Sequence, residues 1–168
     1  MGTRHQIEVI AKKELRVAQY GQWDGYPTGQ GEDIAEFIQA HIKDADWTKE
    51  RTIENFTECV FLTAAQTEQL ENLTQSFKLK SFVNLTPHLS RDTGAKLLEL
   101  IKDKPLALVK NDDLSWCEYK YIINFDSATV EVIELSREKR AKVFSFEDCT
   151  KENMQKLETE WNEEEEAA

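Results

Sequence analysis

The residues best suited to chemistry lie in one aromatic, glycine-rich segment near the start of the chain, from Gln19 to Gly31. Its aromatic and polar members are Gln19, Tyr20, Gln22, Trp23, Asp24, Tyr26 and Gln30. Aromatic faces stack on bases, sugars or prolines, whereas amides and carboxylates recognise hydrogen-bonding edges. Glycines among them allow a ligand to approach the backbone closely. This mixture predicts a binding pocket for a small molecule or a peptide.

The same segment also has a purely structural interpretation. Four of the six glycines fall within residues 21–31, which excludes a regular strand or helix there. Such a loop can plug the open end of a sheet, with its rings as core and its glycines as turns. The residues alone leave pocket and plug equally open. Phosphate binding is disfavoured, because Glu32 and Asp33 occupy the start of the next helix and no phosphate-loop motif is present.

A second aromatic cluster runs from Trp116 to Tyr121. Alternate residues of a strand face opposite sides of a sheet, so Trp116, Glu118 and Lys120 would share one face. The simpler interpretation is a central strand with Cys117 buried and Glu118 paired with Lys120 at the surface. The alternative places Trp116 and Glu118 beside the first segment, as further walls of a pocket.

An enzymatic function finds little support in the sequence. N-terminal nucleophile hydrolases begin with a hairpin, as this chain is predicted to do, but they need Ser, Thr or Cys as first residue. Removal of Met1 would expose Gly2 and leave Thr3 internal. Asp24 and Glu118 could form a carboxylate pair, although an acidic chain offers many such pairs. We therefore predict no catalytic residues, and a hydrolase remains an alternative.

The charge of the chain limits its partners. Its 32 acidic and 21 basic residues give a net charge of −11, and such a surface repels the phosphates of nucleic acids. We predict no direct binding to nucleic acid, whereas a basic protein partner remains open. No apolar run is long enough to span a bilayer and no secretory signal is evident, so a cytoplasmic protein without a membrane partner is expected.

Cysteines and histidines are too scattered for a metal site or a disulfide framework. Cys59, Cys117 and Cys149 are odd in number and contain no close pair. We expect them to be small buried side chains in a reducing compartment. No metal and no cofactor are predicted, and the sequence does not indicate an oligomeric state.

Periodicity predicts the elements that position these residues. Alternating apolar residues predict a β-hairpin over residues 5–20, with residues 11–14 as its connection and Ile7, Val9 and Val17 facing the core. A helix follows the glycine-rich segment, since its apolar residues recur every three or four positions: Ile34, Phe37, Ile38 and Ile42.

Three further helices are predicted in the middle of the chain. The first begins with Thr48 as N-cap, the second at a capping box of Thr63 and Gln66, and the third at Ser90. The apolar stripes of the second and third consist of Leu70, Leu73, Phe77, Leu97, Leu98 and Ile101.

The last third of the chain is predicted to be a meander and a final helix. The candidate strands, three or four in number, span residues 106–109, 116–125, 129–135 and 141–146. Thr150 caps the helix, whose buried face carries Met154, Leu157 and Trp161, and the acidic tail 162–168 should fray. These elements predict one α+β domain over residues 1–168, with hairpin and meander in one antiparallel sheet packed with a helical middle segment.

Both aromatic clusters resemble signatures of a family of short uncharacterised phage and fungal proteins. The first signature is MGTRH followed by QYGQWDGYP and GQG, here residues 1–5, 19–27 and 29–31, and the second is WCEY at residues 116–119. The family has no established activity. The resemblance implies a host-interaction or counter-defence role, and it implies that Arg4 and His5 belong with the aromatic segment.

Our leading hypothesis is a phage-encoded, non-enzymatic binding protein that engages a host protein or a small-molecule ligand through the aromatic segment. The predicted ligand-binding residues are Arg4, His5, Gln19, Tyr20, Gln22, Trp23, Asp24, Tyr26, Trp116 and Glu118. The alternatives are a hydrolase similar to N-terminal nucleophile enzymes and an acidic mimic of nucleic acid that inhibits a basic host protein.

Overall fold

The computed structural model describes residues 2–76, 87–136 and 139–167. Its strands are β1 (His5–Ala11), β2 (Glu14–Gly21), β3 (Val60–Phe61), β4 (Ala107–Leu108), β5 (Tyr119–Asn124), β6 (Thr129–Glu134) and β7 (Arg140–Ser145). Its helices are α1 (Glu32–Lys43), α2 (Asp46–Glu58), α3 (Ala64–Ser76), α4 (Lys96–Asp103) and α5 (Lys151–Ala167). A π-helical turn (Pro27–Gly31) precedes α1, and a 3-10 turn (Pro87–Leu89) precedes α4. The fold is α+β, as predicted.

The predicted union of hairpin and meander is confirmed, in the strand order β2-β1-β5-β6-β7. Neighbouring strands are antiparallel except β1 and β5, which run parallel with His5 opposite Tyr119. The prediction of a strand near residues 106–109 is correct, but β4 does not join the meander. It pairs instead with β3 in a separate parallel sheet of two short strands.

Two residues with positive φ form the hairpin turn, although neither is a glycine or an asparagine. Lys12 and Lys13 have φ values of 50° and 64°, which a two-residue turn between twisted strands requires. The Asp126 carboxylate accepts a hydrogen bond from each backbone N–H, at 2.9 Å from Lys12 N and 2.7 Å from Lys13 N. Because Asp126 lies in the turn between β5 and β6, this contact also ties the hairpin to the meander.

One apolar core joins the sheet to helices α1, α2, α4 and α5. The strands contribute the buried residues Ile7, Val9, Val17, Tyr121, Ile123, Val130 and Val132. The helices contribute Ile34, Phe37, Ile38, Phe56, Leu97, Leu98, Ile101, Met154, Leu157 and Trp161. The core positions predicted for the hairpin, α4 and α5 are confirmed, whereas Ile42 of α1 is only partly buried.

Two predicted helix starts are confirmed by their hydrogen bonds. Thr63 N–H donates to Gln66 Oε1 at 2.9 Å, and Gln66 N–H donates to Thr63 Oγ1 at 3.2 Å, which is a complete capping box. Thr150 Oγ1 accepts a hydrogen bond at 3.1 Å from the backbone N–H of Asn153, in the first turn of α5. In both cases the side chain satisfies a backbone donor that has no partner within the helix.

Two other predicted helix starts are wrong. Thr48 lies within α2, which begins at Asp46 with the carboxylate of that residue in its first turn. Ser90 precedes α4 by six residues, and its hydroxyl accepts a hydrogen bond from Asp92 N–H at 3.1 Å in a local turn. Both residues are good capping types, so residue type alone misplaced these helix starts.

Arg140 holds the end of α5 in place. We expected residues 162–168 to fray, yet the helix continues to Ala167. The Arg140 guanidinium donates to Glu134 at 2.6 Å, to Glu164 at 2.8 Å and to Glu165 at 3.2 Å. These bonds reduce the repulsion within the acidic run.

Three remaining predictions concern α3, the cysteines and membrane crossing. The stripe predicted for α3 ends at Phe77, which lies outside the described residues. All three cysteines are free and buried, as expected. Within the described ranges, no helix is both long and apolar enough to cross a bilayer.

Candidate functional site

Residues 21–31, here called the aromatic loop, are anchored through their backbone. Gly25 N–H donates to the Thr3 carbonyl at 2.9 Å, and the Tyr121 hydroxyl donates to the Gly25 carbonyl at 2.5 Å. Tyr121 is fully buried, and burial raises the pKa of its phenol well above the usual value. The hydroxyl therefore remains protonated and fixes the loop from beneath.

Gln30 closes the aromatic loop on itself. Its backbone N–H donates to the Asp24 carbonyl at 2.7 Å, and its side-chain N–H donates to the Trp23 carbonyl at 3.1 Å. Its amide oxygen accepts a hydrogen bond from Ala95 N–H at 2.7 Å, just before α4. The Gln30 amide is thus engaged within the protein and is not free to contact a ligand.

Trp23 is the most exposed aromatic side chain of the loop, and its orientation is fixed. Its indole Nε1–H donates to Asp92 Oδ1 at 2.6 Å. Gly2 lies against the ring, so closely that a Cβ atom on Gly2 would come within 2.4 Å of the indole Cε3. The side chain nevertheless remains 45% exposed. It therefore presents a fixed aromatic surface to solvent.

Asp24 and Tyr26 form a polar rim beside Trp23. Asp24 is exposed and has a φ of 54°, a left-handed conformation that Asp tolerates better than most residues. The Tyr26 hydroxyl donates to Asp24 Oδ1 at 3.0 Å. This hydrogen bond, together with the charge of Asp24, raises the pKa of the Tyr26 phenol.

His5 lies directly beneath the aromatic loop, with 1% of its surface exposed. Its imidazole packs on Gly21, where a Cβ atom would come within 2.2 Å of the ring. Within the described residues, neither ring nitrogen has a hydrogen-bond partner. Burial lowers the pKa of His5 to about 4, opposed only in part by the Thr3 backbone and the charge of Asp24. The imidazole is therefore neutral near pH 7.

Two glutamines near His5 also keep a buried oxygen without a partner among the described residues. Gln19 faces the same side of the sheet as His5, and its side-chain N–H donates to the His88 carbonyl at 3.3 Å, whereas its Oε1 is unpaired. Gln22 N–H donates to the Arg91 carbonyl at 3.0 Å, and its Oε1 is likewise buried and unpaired. Buried acceptors of this kind are normally satisfied by protein, water or ligand.

A row of polar side chains continues from His5 across the inner face of the sheet. Tyr119 lies opposite His5, Glu134 opposite Tyr119, and Arg140 opposite Glu134. Burial, reinforced by the charge of Glu134, raises the pKa of Tyr119 to about 12. The buried Glu134 is paired with Arg140 at 2.6 Å, so the negative charge in this row is balanced within the row.

Trp116 and Glu118 meet Arg4 instead of the aromatic loop. Glu118 Oε2 accepts a hydrogen bond from Arg4 N–H at 3.0 Å and lies 3.9 Å from Arg4 Nε. The Arg4 guanidinium carbon lies 5.9 Å from the centre of the Trp116 ring. Strand alternation places Arg4 on the opposite side of the sheet from His5. Trp116 precedes β5 and is 64% exposed.

The predicted surface pair of Glu118 and Lys120 is wrong. Lys120 Nζ pairs with the Glu8 carboxylate at 3.1 Å, because β1 lies beside β5 and brings Glu8 close to it. Cys117 is buried, as predicted. Burial raises the pKa of its thiol to about 11, so it is not a reactive thiolate near pH 7.

The predicted site residues therefore gather in two places. Those around the aromatic loop are His5, Gln19, Gln22, Trp23, Asp24 and Tyr26, and those on the other side of the sheet are Arg4, Trp116 and Glu118. Tyr20 alternates with Gln19 and Gly21 along β2, so it faces away from His5 and lies opposite Gln6. The structure thus brings together six of the ten residues around the loop.

Sequence reasoning missed two residues that hold the loop, Asp92 and Tyr121. Asp92 lies 69 residues from Trp23 in the chain, and no local pattern connects them. Tyr121 was recognised only as the last residue of the second aromatic cluster. A usable signal was present there, because a tyrosine on the buried face of a central strand needs a hydrogen-bond partner for its hydroxyl.

A groove of about 390 Å³ lies elsewhere in the fold, where β3 leads into α3 and the chain leaves β4. Its lining includes Phe61, Leu62, Thr67, Glu68, Val109 and Lys110. Lys110 Nζ lies 5.7 Å from the centre of the Phe61 ring and 3.7 Å from the Asp112 carboxylate. None of the predicted site residues contributes to it.

Among the described residues, no group of three or more His, Cys, Asp or Glu side chains is placed to hold a metal ion. The likeness to short phage and fungal proteins stays a prediction. No family model, curated protein or solved structure matches the chain.

Proposed function

We propose that this protein is a non-enzymatic binding protein that engages its partner through the aromatic loop. One observation carries the proposal: Trp23 is 45% exposed on a loop whose backbone is anchored at Gly25 and Gln30. A side chain that is ordered before binding loses less entropy on association. Tryptophan is also among the residues that contribute most to binding energies.

The proposed partner is a component of the cell in which the protein acts. In this proposal the protein is encoded by a phage, acts in the cytoplasm of the host and has a host-interaction or counter-defence role. A net charge of −11 favours a basic protein over a nucleic acid as partner. The partner would bind the rim formed by Trp23, Asp24 and Tyr26.

The candidate nucleophiles support a function without catalysis. Burial raises the pKa of Cys117 to about 11 and that of Cys149 to about 12, whereas catalytic thiols need a lowered pKa. Thr3 contributes its backbone carbonyl to the anchoring of Gly25.

The proposal is tested by retention of a host component on immobilised protein. Wild type, Trp23→Ala and the matched control Trp116→Ala are compared with one host lysate, after thermal melts have verified that all three are folded. We expect wild type and Trp116→Ala to retain the same component and Trp23→Ala to lose it. Retention that depends on Trp116 and not on Trp23, or no retention by wild type under several conditions, contradicts the proposal.

A further inference from the structure

The surroundings of Trp23 define the ligand more narrowly, on the condition that the aromatic loop is the binding site proposed above. We infer that the loop recognises the guanidinium group of an arginine side chain on a protein partner. Three features of the site lead to this inference: uncompensated carboxylates, a fixed indole ring and an excess of hydrogen-bond acceptors.

Two carboxylates belong to the surroundings of Trp23, and neither has a cationic partner among the described residues. Asp92 accepts the indole N–H at 2.6 Å, and Asp24 is the next residue in the chain. Both are exposed, and neither forms an ion pair with a described Lys, Arg or His. Arg91, although adjacent to Asp92, contributes its carbonyl to Gln22 and forms no ion pair there. A cation from a partner would complete this arrangement.

The indole ring favours a planar cation. Gly2 packs against it, and the bond to Asp92 fixes its plane. A guanidinium group can stack on an indole face while its N–H groups reach a carboxylate in a forked geometry. The ammonium of lysine carries the same charge, but it is compact, strongly hydrated and unable to stack.

The third feature is an excess of buried acceptors along the same loop. Gln22 Oε1, beside Trp23, is buried and unpaired, as is Gln19 Oε1 below it. A guanidinium group offers five N–H donors and no acceptor. A guanidinium N–H is therefore a matching donor for these two glutamine oxygens.

The inference is tested with three capped tripeptides that differ only in their central side chain: Gly-Arg-Gly, Gly-Lys-Gly and Gly-citrulline-Gly. Citrulline keeps the shape of arginine but has no charge. The readout is the indole N–H resonance of Trp23 in ¹⁵N-labelled protein, assigned through Trp23→Phe among the four tryptophans. We expect the arginine peptide to shift this resonance saturably, with an affinity about tenfold higher than that of the citrulline peptide.

Asp24→Asn and Asp92→Asn serve as matched variants. Asn tolerates the positive φ of Asp24 and retains an oxygen that can accept the Tyr26 hydroxyl or the Trp23 indole N–H. Each variant therefore removes charge and preserves the local bonds. We expect each to weaken binding of the arginine peptide by about three- to tenfold, and to weaken binding of the uncharged citrulline peptide by a smaller factor.

Several results overturn the inference. They are equal binding of the arginine and citrulline peptides, binding of the lysine peptide as tight as that of arginine, a response of Trp116 in place of Trp23, and no response of Trp23 to the arginine peptide. If Trp23→Ala still abolishes retention of a host component, the proposed binding function stands and only the guanidinium assignment fails. If that retention is also independent of Trp23, both fail.

Discussion

Trp23 and Trp116 are both exposed tryptophans, yet their surroundings differ. Trp23 is hydrogen-bonded to Asp92, packed against Gly2 and carried by a loop anchored to the buried Tyr121. Trp116 is more exposed, at 64% against 45%, and its described contact is a cation–π approach of Arg4 at 5.9 Å. The two rings therefore differ in the contacts that hold them, and the less exposed ring, that of Trp23, is the more tightly held.

This comparison teaches that exposure alone does not mark a binding residue. A weakly held aromatic ring must lose rotamer freedom when a partner binds, at a cost of roughly 0.5–1.5 kcal/mol for each immobilised side chain. The fixed ring of Trp23 has already lost that freedom on folding. If the aromatic loop is the binding site proposed above, Asp92 and Gly2 therefore lower the entropic cost of binding, because they hold the Trp23 ring before a partner arrives.

The largest predicted effect on stability comes from His5, which packs beneath the aromatic loop that carries Trp23. Its pKa is about 4 in the folded protein and 6.5 in the unfolded chain. Between these values the unfolded state binds a proton that the folded state does not, so stability falls as the pH falls from about 6.5 to 4. A difference of about 2.5 pKa units amounts to about 3 kcal/mol. Urea denaturation at a series of pH values measures this loss.

The control for this prediction is His5→Gln, which removes the titrating group. Burial also lowers the pKa values of His41 and His88, and acidic residues titrate below pH 5. Only the difference between wild type and variant therefore reports His5. If the stabilities of wild type and variant change in parallel from pH 6.5 to 4, titration of His5 does not contribute to the pH dependence of stability.

The second prediction concerns the anchor beneath the loop. Tyr121→Phe removes the donor to the Gly25 carbonyl and leaves that carbonyl buried without it, which should cost about 1–3 kcal/mol. Tyr20→Phe is the matched control, because Tyr20 faces the outer side of the sheet and is partly exposed; it should change stability by less than about 0.5 kcal/mol. Equal losses of unfolding free energy for the two variants in urea denaturation would contradict the role of Tyr121 as the anchor of the aromatic loop.

The smallest predicted effect comes from the two tryptophans themselves. Trp23→Ala loses a hydrogen bond and part of its packing on Gly2, at about 1–2 kcal/mol. Trp116→Ala should cost less than about 0.5 kcal/mol. Thermal melts of both variants measure the difference. A loss of about 3–5 kcal/mol for Trp23→Ala, typical of a buried aromatic side chain, would identify the loop as a structural plug.

Periodic patterns were sufficient to predict most of the fold. Alternation along the hairpin identified Ile7, Val9 and Val17 as core residues, and helical spacing identified Leu97, Leu98 and Ile101. These signals are local, and each burial pattern repeats over several residues. The capping box at Thr63 and Gln66 was recognisable for the same reason, because both partners lie within one helical turn.

The parts that the sequence did not reveal depend on contacts between distant residues. The hairpin connection at residues 11–14 was predicted, but the hydrogen bonds from Lys12 and Lys13 to Asp126 were not, because Asp126 is distant in the sequence. The pairing of Lys120 with Glu8 required knowledge of which strand lies beside β5. In the candidate site, the aromatic loop was recognisable from its composition, whereas its partner Asp92 was not.

The parallel pairing of β1 with β5 has a consequence for how the protein is made. Glu118, directly before β5, meets Arg4 across 114 residues of chain, so ribosomes release the hairpin long before its neighbouring strand exists. Until then, one edge of β1 has no hydrogen-bonding partner, and such an edge invites pairing with other chains. Long-range strand pairing also slows folding. The sheet that carries the aromatic loop is therefore completed only after most of the chain has been synthesised.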